Sequence, residues 1–299
     1  MMKKGNILNR VFCFFLLLCS FSALAQAGNS YDTELENWKQ KRIAALKAPN
    51  GWLNLTGLFW LKPGKNSFGS DPSSDIVYSD SSFPAHAGVF ELNGNTVSWS
   101  TAHGTVITVK GNNFPAGLIF QPGNDPALQL ATGRFRWNII KREDRYGVRF
   151  RDLESHDLLA FPGIERFPAD TTWRFPAKLE AASKNIFITN ILGQTNAQQS
   201  PGKLLFTING QRYSLDALDE GGEDLFIVFG DATSGEETYP SGRFLYVKKP
   251  DASGNTVIDF NKAINPPCAF TTYATCPLPP SQNILPVRVP AGEKNFGHH

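Results

Sequence analysis

Leu204-Leu-Phe-Thr-Ile-Asn-Gly-Gln-Arg-Tyr-Ser-Leu215 sets two strand-like runs on either side of Asn209-Gly210, the dipeptide that most strongly favours a tight hairpin turn. Val89-Phe-Glu-Leu92 and Thr96-Val-Ser-Trp99 flank Asn93-Gly94-Asn95 in the same way. Further strand candidates are Val106–Lys110, Arg134–Ile140, Gly147–Phe150, Asn185–Thr189, Leu225–Phe229, Arg243–Lys248 and Thr256–Phe260, set among Gly, Pro, Asn and Asp. Short strands at this spacing describe sandwiches or barrels. Only residues 28–50 read as helix. Thr33-Glu-Leu-Glu36 forms a capping box there, Leu35, Trp38, Ile43 and Leu46 share an apolar face, and Pro49-Asn-Gly51 ends it.

The expected fold is therefore mainly β, with an N-terminal helix followed by two packed sandwich-like or barrel-like modules. Phe-Pro-Gly, Arg-Phe-Pro and Ala-Asp interrupt the strand pattern within Phe161–Asp170, which divides the modules into residues 51–165 and 166–299. Thr172-Trp-Arg-Phe175 resumes the pattern. Pro266, Pro267, Pro277, Pro279, Pro280, Pro286 and Pro290 predict an extended tail, with Asn283–Val289 as a last strand at a sheet edge, where proline is tolerated.

Location is read from the first residues. Lys3, Lys4 and Arg10 precede the apolar run Val11–Leu18, and Ala23-Leu-Ala25 and Ala25-Gln-Ala27 offer small-residue cleavage sites, so residues 1–27 read as a secretory signal peptide. The run is too short to span a bilayer, which takes about 20 apolar residues, so no stable membrane insertion is expected. Bulky Leu18 stands before Cys19, where a lipoprotein signal needs a small residue. The expected location is periplasmic or secreted. Of 29 basic and 27 acidic residues, removing Lys3, Lys4 and Arg10 leaves 26 against 27. That balance, with Lys141-Arg142 broken at once by Glu143-Asp144, excludes an electrostatic footprint for nucleic acid.

Cys13 and Cys19 leave with the signal, and Cys268 and Cys276 remain as an even pair in an oxidising compartment, where a disulfide is expected. The alternatives are a redox or a metal pair. The first usually has the tighter C-x-x-C spacing and the second wants histidines nearby.

Several stretches together resemble a known family. They are Trp52-Leu-Asn-Leu-Thr-Gly-Leu-Phe-Trp-Leu61, Phe68-Gly-Ser-Asp-Pro-Ser-Ser-Asp75, Pro84-Ala-His-Ala-Gly88, Asp231-Ala-Thr-Ser-Gly-Glu-Glu-Thr-Tyr239, Gly242-Arg-Phe244, Asp259-Phe-Asn261, Asn265-Pro-Pro-Cys268 and Ala274-Thr-Cys-Pro-Leu-Pro-Pro280. The family is the bacterial domain-of-unknown-function family numbered 1684, and the resemblance extends over nearly the whole mature chain. It carries no established activity, so no function is implied by it. Phe68–Val77, Ala85-His-Ala87 and Val109-Lys-Gly111 are also ordered like the signature of forkhead-associated domains, β-sandwiches that bind phosphothreonine through loops. Ser70 stands where that family has an arginine, and Phe83 where it has a phosphate-binding serine. The likeness thus implies a related sandwich without phosphopeptide binding.

Chemistry-bearing residues concentrate in Asp231–Arg243 and Asp259–Cys276, where acids, an arginine, amides and hydroxyls sit on turn-forming residues beside apolar strands. The histidines, His86, His103, His156, His298 and His299, make no H-E-x-x-H, and neither a G-x-S-x-G elbow nor a nucleotide-binding glycine motif is present. No cofactor or metal is called for. Asp231, Glu237, Asp259 and His86 are the catalytic candidates; paired acids suit glycosidic chemistry, with the carboxylate separation setting its outcome. Thr233, Ser234, Glu236, Tyr239, Arg243, Asn261, Asn265 and Tyr273 are the binding candidates.

The same acids with the Thr233 and Ser234 oxygens could hold Ca²⁺, although the stretch lacks the D-x-[DN]-x-[DN]-G pattern. A purely structural use is the third possibility: Asp231 caps a turn, and Arg243 pairs with Glu237 or Asp259 within a closed buried network. Trp52, Phe59 and Trp60 suit either a core or a sugar-binding groove, and His86 reads as a buried turn residue open to a pH-dependent role. The expected function is a non-catalytic binding or accessory protein for a small polar ligand, glycan or envelope partner. The alternatives are a carboxylate-dependent hydrolase acting on carbohydrate and a purely structural envelope protein.

Overall fold

The computed structural model describes residues 30–123 and 127–297. The signal peptide reading, with Cys13 and Cys19, and the terminal His298 and His299 lie outside the described residues. A helix, α1, covers residues 30–47. Two sheets follow. One runs in the order β1 (Leu55–Trp60), β11 (Arg145–Asp152), β10 (Phe135–Arg142), β9 (Leu130–Thr132), β6 (Thr108–Val109), β7 (Asn112–Asn113). The other runs β3 (Ile76–Val77), β2 (Gly64–Gly69), β4 (Gly88–Asn93), β5 (Thr96–Thr101), β8 (Ala116–Phe120).

The C-terminal half holds a four-stranded sheet ordered β14 (Gln211–Ala217), β13 (Thr195–Ile208), β12 (Arg174–Thr189), β17 (Asn255–Asp259), and a pair, β15 (Asp224–Phe229) with β16 (Arg243–Lys248). The protein is mainly β. Both sequence hairpins form: β4 turns into β5 through Gly94, and β13 turns into β14 through Asn209 and Gly210, whose φ angles of 50° and 80° are the left-handed pair that an Asn-Gly hairpin turn requires.

Alternation along the strands decides what each sheet buries. Phe68, Phe83, Phe90, Trp99, Trp137 and Phe150 meet between the first two sheets, with Phe68 edge-on to Phe150 at 5.5 Å and 5.0 Å from Phe83. The two residues that depart from the forkhead-associated signature serve this packing: Phe83 is core, and Ser70 Oγ donates to its carbonyl. A second core gathers Phe206, Leu225, Phe229, Leu245, Ile258 and Phe260 in the C-terminal half.

The helix buries Tyr31, Leu35 and Leu46, and Leu46 packs with Leu53, Ala269 and Phe270. Thr33 lies inside α1 rather than capping it. Burial of the Tyr31 ring, whose hydroxyl donates to Asp259, carries the helix past that local signal. Cys268 and Cys276 are joined by a disulfide with their Cα atoms 6.2 Å apart. No described helix is long and apolar enough to cross a membrane.

One strand expectation fails. Asn283–Val289 makes no strand: Ser281–Asn283 is a 3-10 turn, and beyond it two backbone–backbone bonds, Leu285 N to Gly230 O and Ala232 N to Val287 O, run to the β15 end without forming a ladder. Pro286 and Pro290 lack the amides a ladder needs. Side chains anchor the tail instead, since Leu285, Val289 and Ala291 enter the second core.

Candidate functional site

Asp231–Arg243 folds into a closed polar knot. The chain turns sharply after β15, and the Asp231 carboxylate, fully covered, accepts from Thr233 N at 3.1 Å, Thr233 Oγ1 at 2.8 Å, Val289 N at 2.7 Å and Arg243 Nη2 at 3.0 Å. Arg243, 0% exposed at the start of β16, also donates to the Val289 and Ala291 carbonyls. Burial pulls its pKa down and the facing Asp231 opposes the shift. Thr238 Oγ1 lies 2.9 Å from Thr233 Oγ1, and Ser234 Oγ accepts from Asp231 N. These bonds clamp the Val289–Ala291 tail against β15 and β16.

The expected partners of Arg243 are corrected by this geometry. Glu236 and Glu237 are exposed and both pair with Arg288, while Arg243 takes Asp231 because that carboxylate alone reaches the buried guanidinium. Asp259 belongs to a separate network. It accepts from Tyr31 OH at 3.0 Å and from Asn261 N and Nδ2, each at 3.1 Å, with Arg174 Nε at 3.4 Å. Asn261 exchanges two bonds with the Asp170 backbone. Burial and the Asp259 charge push the Tyr31 hydroxyl well above the usual tyrosine range.

Tyr239 packs half-buried against two apolar clusters, Tyr273 is at the surface, and Asn265 is 0% exposed. His86 is exposed rather than buried. Its backbone carbonyl accepts from Thr105 Oγ1, and the adjoining Ala87 fills the core position.

A different set of residues converges on a cleft. Tyr146, Val148 and Phe150 of β11 enter the first core, so Gly147, Arg149 and Arg151 point out of the opposite face of the sheet. In register on β10, Asn138 faces Arg149 and Arg136 faces Arg151. The C-terminal half packs over this outer face, and Thr271 Oγ1, inside the disulfide loop, donates to Leu55 O of β1.

The Arg149 guanidinium lies 5.1 Å from the Trp52 ring centroid, Arg151 Nη1 donates to Gly51 O and Asn54 Oδ1, and Arg142 Nε donates to Thr275 Oγ1 at 3.0 Å. Among the described residues none of the three has a carboxylate partner, and the buried Nε atoms of Arg149 and Arg151 have no acceptor. Burial pulls Arg149 down to about 10, with Arg142 and Arg151 adding to the shift, and burial alone pulls Arg151 to about 10.

Two cavities meet at these side chains. One of about 1020 Å³ runs along β10 and includes Lys110, Arg142, Arg149 and Arg151. The other, about 350 Å³, lies between the halves and shares Arg142 and Arg149 with it. A desolvated positive cluster with open hydrogen-bond donors can hold an anion through charge-assisted bonds.

The sequence holds a signal for this cluster. Arg145-Tyr-Gly-Val-Arg-Phe-Arg151 alternates, which puts Arg149 and Arg151 on one face, but the run of adjacent charges at Lys141-Arg142 is a poor guide to a cluster that spans two strands.

Residues 159–294 match the family described as "Protein of unknown function (DUF1684)". The resemblance therefore holds over the part that contains Asp231–Tyr239, Gly242-Arg-Phe244 and Asn265–Pro280. Trp52–Leu61, Phe68–Asp75 and Pro84–Gly88 lie outside the matched residues. Among solved structures, an uncharacterized protein of Haloarcula marismortui, determined by solution NMR, is 26% identical over 46% of this chain and 79% of that one, with a TM-score of 0.39. No curated protein matches the chain.

Proposed function

We propose that this chain is a periplasmic or secreted, non-catalytic binding protein whose small polar ligand carries a negative charge, held in the cleft between its two β-rich halves. The observation that carries the reading is the set of three arginines, Arg142, Arg149 and Arg151, drawn into the protein with no carboxylate partner among the described residues. Burying cations costs folding free energy unless a counter-charge arrives, so such a cluster is retained where an anion completes it. Clefts between packed units are common ligand sites. The disulfide and the apolar N-terminal run support the location.

The carboxylate candidates support a structural role over hydrolysis. Asp231 is enclosed by four hydrogen-bond donors and Asp259 by three, with Arg174 as a further ion partner, and neither lines the two cavities described above.

The test is thermal unfolding of the purified protein with millimolar inorganic phosphate, sulfate, acetate and citrate at low ionic strength, for wild type and Arg149→Met. A ligand bound only by the folded state raises the midpoint. The expected result is a rise in wild type that Arg149→Met loses. An equal rise in both, or none with any anion, would discard the reading.

A further inference from the structure

The smaller cavity adds an aromatic wall to the arginine cluster. Phe226 on β15 and Tyr246 on β16 are cross-strand partners, stacked at 5.1 Å and 27°, and Phe244 meets Phe226 edge-on at 4.9 Å. All three line the cavity with Trp52, Arg142 and Arg149. Tyr246 is 48% exposed, so one flat aromatic side chain stands at the surface where the strand face would otherwise carry a polar group.

Asn265 lines the same cavity, and its Oδ1 is buried with no hydrogen-bond partner among the described residues, while its Nδ2 donates to Lys294 O. Buried polar atoms are ordinarily satisfied, so this acceptor leaves one polar point on an otherwise aromatic wall. Glu220 supplies the cavity's one carboxylate, and burial pushes its pKa upward.

Resting on the anion reading above, we infer that the ligand is an aryl anion: a carboxylate or phosphate head on Arg149 and Arg142, carried on a flat ring that lies against Tyr246, Phe226 and Trp52. The cavity volume of about 350 Å³ falls at the small end of ordinary ligand sites, about 300–1,000 Å³. A flat ring suits these walls because offset-stacked and edge-on partners are both offered.

The test is isothermal titration of the wild-type protein, Tyr246→Ala and Arg149→Met with 2-naphthoate, acetate and inorganic phosphate. Tyr246 is about half exposed and belongs to none of the buried apolar clusters, so its replacement leaves their members in place. Wild type is expected to bind 2-naphthoate at least tenfold more tightly than acetate. Tyr246→Ala is expected to weaken 2-naphthoate about tenfold without altering phosphate, as loss of an aromatic contact does, and Arg149→Met to abolish binding of each probe. If phosphate or acetate binds as tightly as 2-naphthoate through Arg149, and Tyr246→Ala changes nothing, the aryl class is overturned while the anion reading stands. Binding of no probe would overturn both.

Discussion

Arg149 covers the ring of Trp52 at 5.1 Å and has no carboxylate partner among the described residues, so an aromatic face is the main counterweight to its buried charge. A cation over an indole recovers about 0.5–2 kcal/mol, less than the several kcal/mol that desolvating an ion costs. Replacement by methionine keeps the apolar stem and removes the charge. In the absence of ligand, Arg149→Met should be more stable than wild type, on the order of 1 kcal/mol in a urea melt. A large loss of stability would mean that Arg149 is a structural residue.

Arg243 is the opposite case. Its guanidinium satisfies Asp231 and two backbone carbonyls inside the protein, and removing it leaves a carboxylate buried without its counter-charge. Arg243→Met should cost about 3–5 kcal/mol and lower the unfolding midpoint by several degrees in a thermal melt. Anion binding per folded molecule should be unaffected, since Asp231, Thr233, Arg243 and Val289 line neither cavity.

Alkaline stability should depend on Tyr31. Its folded pKa lies above the unfolded value near 10.0, because burial and Asp259 both disfavour the phenolate. The protonated hydroxyl is favoured by folding, so its contribution is fully present below the unfolded pKa and is lost as pH rises beyond 10.0. A Tyr31→Phe variant, compared with wild type in denaturant melts between about pH 8 and 11, should show a flatter alkaline decline. Parallel declines would show that other groups set the alkaline limit.

Opening the Cys268–Cys276 disulfide should affect the cleft more than the fold. The closed loop is short and contributes roughly 2–3 kcal/mol in the chain-entropy model. It also carries Thr275, the acceptor for Arg142, while Cys276 lines the smaller cavity. A Cys268→Ser, Cys276→Ser double variant should remain folded at 25 °C by circular dichroism and bind anions more weakly than wild type. Unchanged anion affinity would show that the loop does not position Arg142.

Local chemistry explains what could be read in advance. Asn209-Gly210 demands left-handed backbone wherever it sits, so its hairpin was legible, and the apolar run Arg243–Lys248 appears as β16 with the same limits. Thr33 misled because a cap is a local preference and burial of Tyr31 is not. Period-two alternation in Arg145–Arg151 puts Arg149 and Arg151 on one face, a signal the sequence reading did not use. It did not tell that the C-terminal half would cover that face, since this depends on contacts such as Thr271 to Leu55, 216 residues apart. The acids of Asp231–Arg243 were conspicuous for the same reason that they proved structural: polar residues among apolar strands must be satisfied when the chain closes over them.

The helix at the N-terminal end of the described chain has its partners far down the sequence. Tyr31 bonds Asp259 across 228 residues, Arg42 bonds Glu293 across 251, and Leu46 packs on Phe270. A chain emerging from a ribosome or a translocation pore presents α1 long before its docking surface. Until residues 259–293 have emerged, the apolar side of α1 has no native surface to cover it, and the closure of so many distant contacts makes this a late and slow step. The interval leaves a window in which that helix is available to a chaperone.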